Sequence, residues 1–194
     1  CRPLNPHPSS PDNPMKKFLT FALAAALCTP AFAQRMGSSN SNAPEVKQSV
    51  KQGDHSMSLN YTAITWADGR MMKALSDKEG GARARTRVNN TAPTSPLASF
   101  KSSTACKVGD LELAAGDYEV YFTIDDDAQW HLNFHADGKD KPQTMKIALT
   151  KNDQPHKRLV MSLFAADDKG CTCYLGFGDQ FAMMTFAPTA AKKG

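Results

Sequence analysis

Two thiols stand one residue apart at Cys171-Thr172-Cys173, and a third lies far upstream at Cys106. On an extended strand, residues i and i+2 share a face about 6.6 Å apart, too wide for an easy bridge. A disulfide is therefore expected to join Cys106 to one of the pair, leaving an odd thiol. The competing chemistry is a soft-metal site. Two thiolates on one strand face, with thioethers drawn from nine methionines including Met71-Met72 and Met183-Met184, suit Cu(I). Against it, Met145, Met161 and Met183 fall on strand parities otherwise filled by Ile, Leu and Phe, where methionine serves as core. No Met-x-Met or His-rich tract is present.

The remaining candidates are polar side chains that a fold does not need. His131 and His135 share the polar face of one strand but stand about 13 Å apart, so they cannot hold one metal between them. Asp125 to Asp127 lack the spacing of an EF-hand loop and read as a hairpin turn. There is no nucleophile elbow, His-Glu-x-x-His, Walker loop or Gly-rich cofactor fingerprint. No cofactor is expected, and a hydrolase using Cys171 or Cys173 with a distant histidine is the weakest reading. Among the aromatic residues Trp66, Trp130, Tyr121 and Tyr174, which could line a ligand platform, Trp130 lies on an apolar parity; Tyr121 and Tyr174 are the ones expected at the surface. A ligand site is expected where the loop carrying Arg85 and Asn89 meets Tyr121 and His131. Alanine at Arg85 and His131 should then leave the melting temperature nearly unchanged.

The elements that must position these groups are strands. Tyr118, Val120, Phe122 and Ile124 alternate with Asp117, Glu119, Tyr121 and Thr123, and beyond the aspartates Trp130, Leu132 and Phe134 alternate with Gln129, His131 and Asn133. Pairing Phe122 with Trp130 and Val120 with Leu132 buries both apolar rows and sets Tyr121 against His131. Similar alternation marks Ser56 to Trp66 (with a bulge), Leu97 to Val108, Met145 to Leu149, Leu159 to Phe164, Cys171 to Phe177 and Phe181 to Phe186. Met71 to Leu75 fits one helical turn, whereas polar Ser76 to Arg87, followed by Asn89-Asn90, Pro93 and Pro96, reads as a long loop. About eight short strands with frequent turn signals and no helix-length periodicity predict an all-β antiparallel sandwich or barrel-like relative.

The start of the chain reads differently. Residues 1–14 contain five prolines and no apolar periodicity. Residues 15–33 then follow the pattern of a secretory signal peptide: Lys16-Lys17, the apolar run Leu19 to Leu27, and Ala31-Phe32-Ala33 before Gln34. The run is too short for a membrane anchor, and Leu27 before Cys28 is too bulky for lipoprotein processing. Residues 34–44 read as a flexible leader, 45–188 as one β domain and 189–194 as a tail. Removing residues 1–33 takes away three basic residues and one acidic, so the net charge falls from +4 to +2. No clustered Lys/Arg stripe of the kind nucleic-acid binding needs is present.

Gly109, Leu113, Ala115, Gly116 and Tyr118, with Trp130 downstream, form a Gly-x-x-x-Leu-x-Ala-Gly-x-Tyr signature. It resembles that of the secreted bacterial family catalogued as domain of unknown function 2911. Asn60-Tyr61, Gly69-Arg70 and Arg85-Thr86-Arg87-Val88-Asn89 resemble further motifs of that family, across roughly Ser56 to Phe186. The chain departs from it at Ala84, where a tryptophan is expected, at Arg87-Val88 in place of Gly-Ala, and at Asn90 in place of an acidic residue. The resemblance implies an extracytoplasmic β-rich domain and no known activity. The expectation is a periplasmic or secreted binding or structural module whose partner is a small molecule or cell-envelope component, with no nucleic acid and no transmembrane segment after signal cleavage.

Overall fold

A computed structural model describes residues 43–65, 69–166 and 170–189. The signal-peptide and leader readings, and Trp66, lie outside these residues. The fold is an antiparallel β-sandwich of ten strands among the described residues, in a six-stranded and a four-stranded sheet.

The first sheet has the order β1-β2-β3-β6-β7-β8, formed by β1 (Glu45–Gln52), β2 (His55–Thr62), β3 (Ala98–Ser102), β6 (Gly116–Ile124), β7 (Trp130–Ala136) and β8 (Gln143–Lys146). The second has the order β5-β4-β10-β9, from β4 (Cys106–Val108), β5 (Leu111–Leu113), β9 (Thr150–Ala165) and β10 (Cys171–Pro188). Two helices, α1 (Arg70–Ser76) and α2 (Ala82–Thr91), interrupt the first sheet between β2 and β3, and a 3-10 turn at Ala92–Thr94 follows them. None of the described helices is long and apolar enough to cross a membrane.

Alternation decides which side chains meet. Met57, Leu59 and Tyr61 on β2, Phe100 on β3, Tyr118, Val120, Phe122 and Ile124 on β6, and Trp130, Leu132 and Phe134 on β7 all point inward and are buried. The facing sheet supplies Leu159, Met161, Leu163, Cys173, Leu175, Met184 and Phe186. Phe186 stacks on Phe100 at 4.9 Å and meets Phe134 edge-on at 6.1 Å, joining the two layers.

The sheets also join along their edges. On one seam the Gln48 side chain of β1 donates from Nε2 to the Met161 carbonyl (2.9 Å) and accepts from the Leu163 N–H (2.9 Å) of β9. Beside it the chain leaving β2 gives the Ile64 carbonyl to the Leu159 N–H (2.8 Å), and Thr65 bridges Arg158. On the opposite seam Gln143 donates to the Glu112 carbonyl at 2.9 Å. Closure on both sides accounts for the barrel-like reading.

Several expectations need correction. The central hairpin pairs Ile124 with Trp130, Phe122 with Leu132 and Val120 with Phe134, so Tyr121 faces Asn133 and Thr123 faces His131. The shift of two residues keeps every apolar side chain on its face and makes the connection tighter. Ser76 to Arg87 is not all loop, because α2 begins at Ala82. Leu97 to Val108 forms two strands in different sheets. Cys106, Cys171 and Cys173 are free and buried. Cys106 lies opposite Leu113 and Pro188, while Cys171 and Cys173 lie opposite Ala165 and Leu163, so among the described residues no two cysteines are cross-strand partners. Met183 points outward and is 58% exposed; its neighbour Met184 fills the core.

Candidate functional site

Arg85 and Asn89 serve the fold. Arg85 is 3% exposed. Its Nη1 donates to the carbonyls of Asp77 (2.5 Å) and Leu75 (3.5 Å), and its Nη2 to those of Lys78 (3.0 Å) and Asp126 (3.3 Å). Three of these carbonyls belong to the end of α1 and the residues after it, where a helix leaves its last C=O groups without internal partners and where positive charge is favourable. Gly81 permits this packing, since a methyl group there would run into the carbonyls of Ala74 and Asp77. One turn further along α2, Asn89 donates from Nδ2 to the Ile124 carbonyl (2.8 Å) and accepts the Ile124 N–H (2.9 Å). A side-chain amide thus continues the ladder beyond the end of β6.

Tyr121 and His131 are not brought together with Arg85 and Asn89 as one pocket. Tyr121 is 3% exposed on the outer face of β6, with the His135 ring edge-on at 6.4 Å. Burial, reinforced by the Glu119 carboxylate, raises its phenol pKa above the usual value. Beneath it Asn133 donates to the Tyr121 carbonyl (3.2 Å) and the Thr123 hydroxyl (3.0 Å), and accepts from the Thr144 hydroxyl (2.7 Å). The outer face at this point is a satisfied polar layer, closed where a wet groove is expected.

His131 pairs instead with Asp125, Nε2 to Oδ2 at 3.0 Å. That hydrogen bond, helped by the Gln129 N–H, holds the Asp125 carboxyl below its ordinary range. A depressed carboxyl pKa contributes stability that is complete above the ordinary value of 3.8 and is lost as pH falls through the lower one. The melting-temperature difference between wild type and Asp125→Asn is therefore expected to persist at neutral pH and to close below about pH 4. A difference that does not change with pH would show that folding does not lower the Asp125 carboxyl.

Next to this turn the structure opens a cleft of about 500 Å³, lined by residues that include Lys73 and Ser76 of α1, Gln129 and Trp130, Asp179 and Gln180. Four elements build it. The hairpin turn is held by the Ala128 N–H on the Asp125 carbonyl (3.0 Å) and by Ala128 in a left-handed conformation, φ 59°, which costs a non-glycine residue about 1–2 kcal/mol. Gln129 then donates to the carbonyls of Trp130 (3.0 Å) and Ile147 (2.9 Å), fastening β7 to the chain after β8. Trp130 packs inward against Phe122 at 5.6 Å and also lines the cleft. Asp179 and Gln180 come from the middle of β10, where its register against β9 breaks.

This cleft escapes sequence reasoning because its polar residues are spread over more than a hundred positions and form no motif. The one legible signal is the stretch from Asp125 to Trp130. A second opening of about 580 Å³ lies at the start of β6, lined by residues such as Ala114, Tyr118, Asp137 and Lys139. Tyr118 there donates to the Ala114 carbonyl at 2.8 Å, a contact that fixes the turn into β6. Among the described residues no three His, Cys, Asp or Glu side chains stand together as a metal-binding group. The chain matches no protein-family model, no curated protein and no solved structure.

Proposed function

We propose that the protein is a non-catalytic binding module of the periplasm or extracellular space, and that the cleft beside α1 receives a small polar molecule or a polar group of the cell envelope. The observation that carries this reading is the composition of the cleft. Lys73, Ser76, Asp179 and Gln180 line a space of about 500 Å³ next to Trp130, and none of the four is needed to fill the core. Ligand sites combine an apolar or aromatic floor with a few converging polar groups, often at the mouth of a barrel. A cation and an anion lining one space favour a ligand that carries both donors and acceptors, such as a sugar or an amino-acid derivative. Secretion and kinship with domain of unknown function 2911 belong to the same proposal, supported by residues 15–33 and by the Gly109 to Trp130 signature.

Copper handling through the paired thiols of Cys171 and Cys173 is less well supported. Burial raises both thiols, Cys173 to about 12, so the pair would have to lose two protons in an apolar place, and two thiolates around one Cu(I) would leave a net negative charge there.

The test is a thermal-shift screen of sugars, amino acids and peptidoglycan fragments, followed by titration calorimetry. A ligand at a hundred times its Kd adds about 2.7 kcal/mol to stability. The expected result is a compound whose shift is abolished in Lys73→Ala and Asp179→Ala, each folded like the wild type. A hit indifferent to both substitutions, or no hit across the three classes, would overturn the assignment.

A further inference from the structure

We propose that His55, Met57 and Cys171 form a site for one monovalent soft metal ion, with Cu(I) as the ion it fits. The three residues line one small void of about 10 Å³, together with Val50, Gln52 and Pro188. That is room for about one water-sized particle. The strand pattern brings them there. His55 and Met57 are i and i+2 on β2, cross-strand from Gln52 and Val50, so both take the inner face of the first sheet. Cys171 opens β10 in the facing sheet with its side chain buried. One nitrogen and one sulfur donor thus line the same void as a second sulfur from across the sandwich.

The histidine is already oriented. Its Nδ1 lies 2.7 Å from the Thr104 hydroxyl, which leaves Nε2 as the nitrogen available for a metal. An outer hydrogen bond of this kind fixes the ring and tautomer of a ligating histidine. Met57 and Cys171 are each 3% exposed, so their sulfurs are held away from water. The thiol's hydrogen bond to the Thr172 carbonyl is long, 3.7 Å, and costs little to give up.

Charge selects the ion. Binding breaks the Cys171 S–H bond, forms an S–Cu bond and releases the proton to solvent. Cu(I), one thiolate, a neutral imidazole and a thioether sum to zero, which an apolar interior accepts. A divalent ion would leave one uncompensated positive charge there. Two sulfurs and an imidazole also suit a soft ion, and a hard one would lack oxygen ligands. This donor set differs from the Cys171 and Cys173 pair. Cys173 does not line the void.

The experiment is anaerobic titration of the reduced, metal-free chain with Cu(I) against a chromophoric Cu(I) chelator. It uses a background carrying Cys1→Ser and Cys28→Ser, two thiols outside the described residues. The expected result is one Cu(I) bound and one proton released per chain. Affinity should fall at least about tenfold in Cys171→Ser, Met57→Leu and His55→Gln, as loss of metal-site partners does, and stay unchanged in Cys173→Ser. Met57→Leu nearly conserves volume and reports on the thioether without emptying the core. Melting curves of the metal-free variants separate lost folding from lost binding. Absence of binding, equal affinity in a folded Met57→Leu chain, or an equal loss in Cys173→Ser would overturn the site.

Discussion

Replacing Arg85 with alanine is expected to destabilise the protein by about 3 kcal/mol and to lower its melting temperature by about 6–12 °C. The guanidinium is almost wholly buried, and all four of its partners are backbone carbonyls. Removing it leaves the end of α1 and the Asp126 carbonyl without their charged donor and empties the buried space that the side chain fills. This reverses the expectation drawn from the sequence, in which Arg85 is a dispensable site residue. Lysine should recover less than half of the loss, because one ammonium cannot serve carbonyls on two sides as a planar fork does. Thermal and urea denaturation of Arg85→Ala and Arg85→Lys would check this. A shift of under about 2 °C for alanine would mean that the arginine is accessible after all.

The second large effect is expected at Gly170. Its φ is 144°, and a methyl group on it would run into the Phe186 carbonyl and sit 3.2 Å from the Ala187 Cα. The approach exists because β10 folds back on itself: Thr172 and Thr185, thirteen positions apart, have their hydroxyls within 3.4 Å, and Tyr174 stacks on Phe181 at 5.7 Å. Gly170→Ala should cost at least about 3 kcal/mol through strain and collision together. Gly53 supplies the control. It also has a left-handed φ, 58°, but nothing within 4 Å of the added methyl, so Gly53→Ala should show only the conformational part, about 1–2 kcal/mol. Equal losses at the two positions in denaturant titrations would refute the close approach.

What the sequence carried and what it concealed follow from the range of each signal. Alternation over Tyr118 to Ile124 and over Trp130 to Phe134 revealed two strands, because a sheet with one buried face imposes period two. Their exact register was hidden, since a shift of two preserves that period and only the Asp125 to Gln129 turn decides it. Helix α2 was invisible because its stability is tertiary. Of Ala82 to Thr91 only Arg85 and Val88 are buried, and the anchoring contacts run from Arg85 to Asp126 and from Asn89 to Ile124. Strand β1 was missed for a related reason: its inward positions alternate Val46, Gln48, Val50 and Gln52, half of them polar. The cysteine count and spacing predict a disulfide from Cys106 to Cys171 or Cys173, and the three thiols are free instead. Which sulfur meets which neighbour depends on the sheet order, and no local pattern encodes it. The cleft shows the same limit, since Lys73 and Asp179 become neighbours of one space only when α1 and β10 reach the same end of the sandwich.

The glutamine that reaches across from β1 to β9 bears on how the protein behaves in a crowd. Strand edges carry rows of unpaired N–H and C=O groups that recruit other chains. In this protein the free edge of the second sheet is occupied from Arg158 to Leu163 by the chain's own Ile64, Thr65 and Gln48. Because one amide side chain answers both a donor and an acceptor, β9 offers no open ladder along that length for another copy to extend. Over Arg158 to Leu163 the sandwich thereby offers no open ladder for its own association, at a position where the sequence shows only an isolated glutamine between two valines.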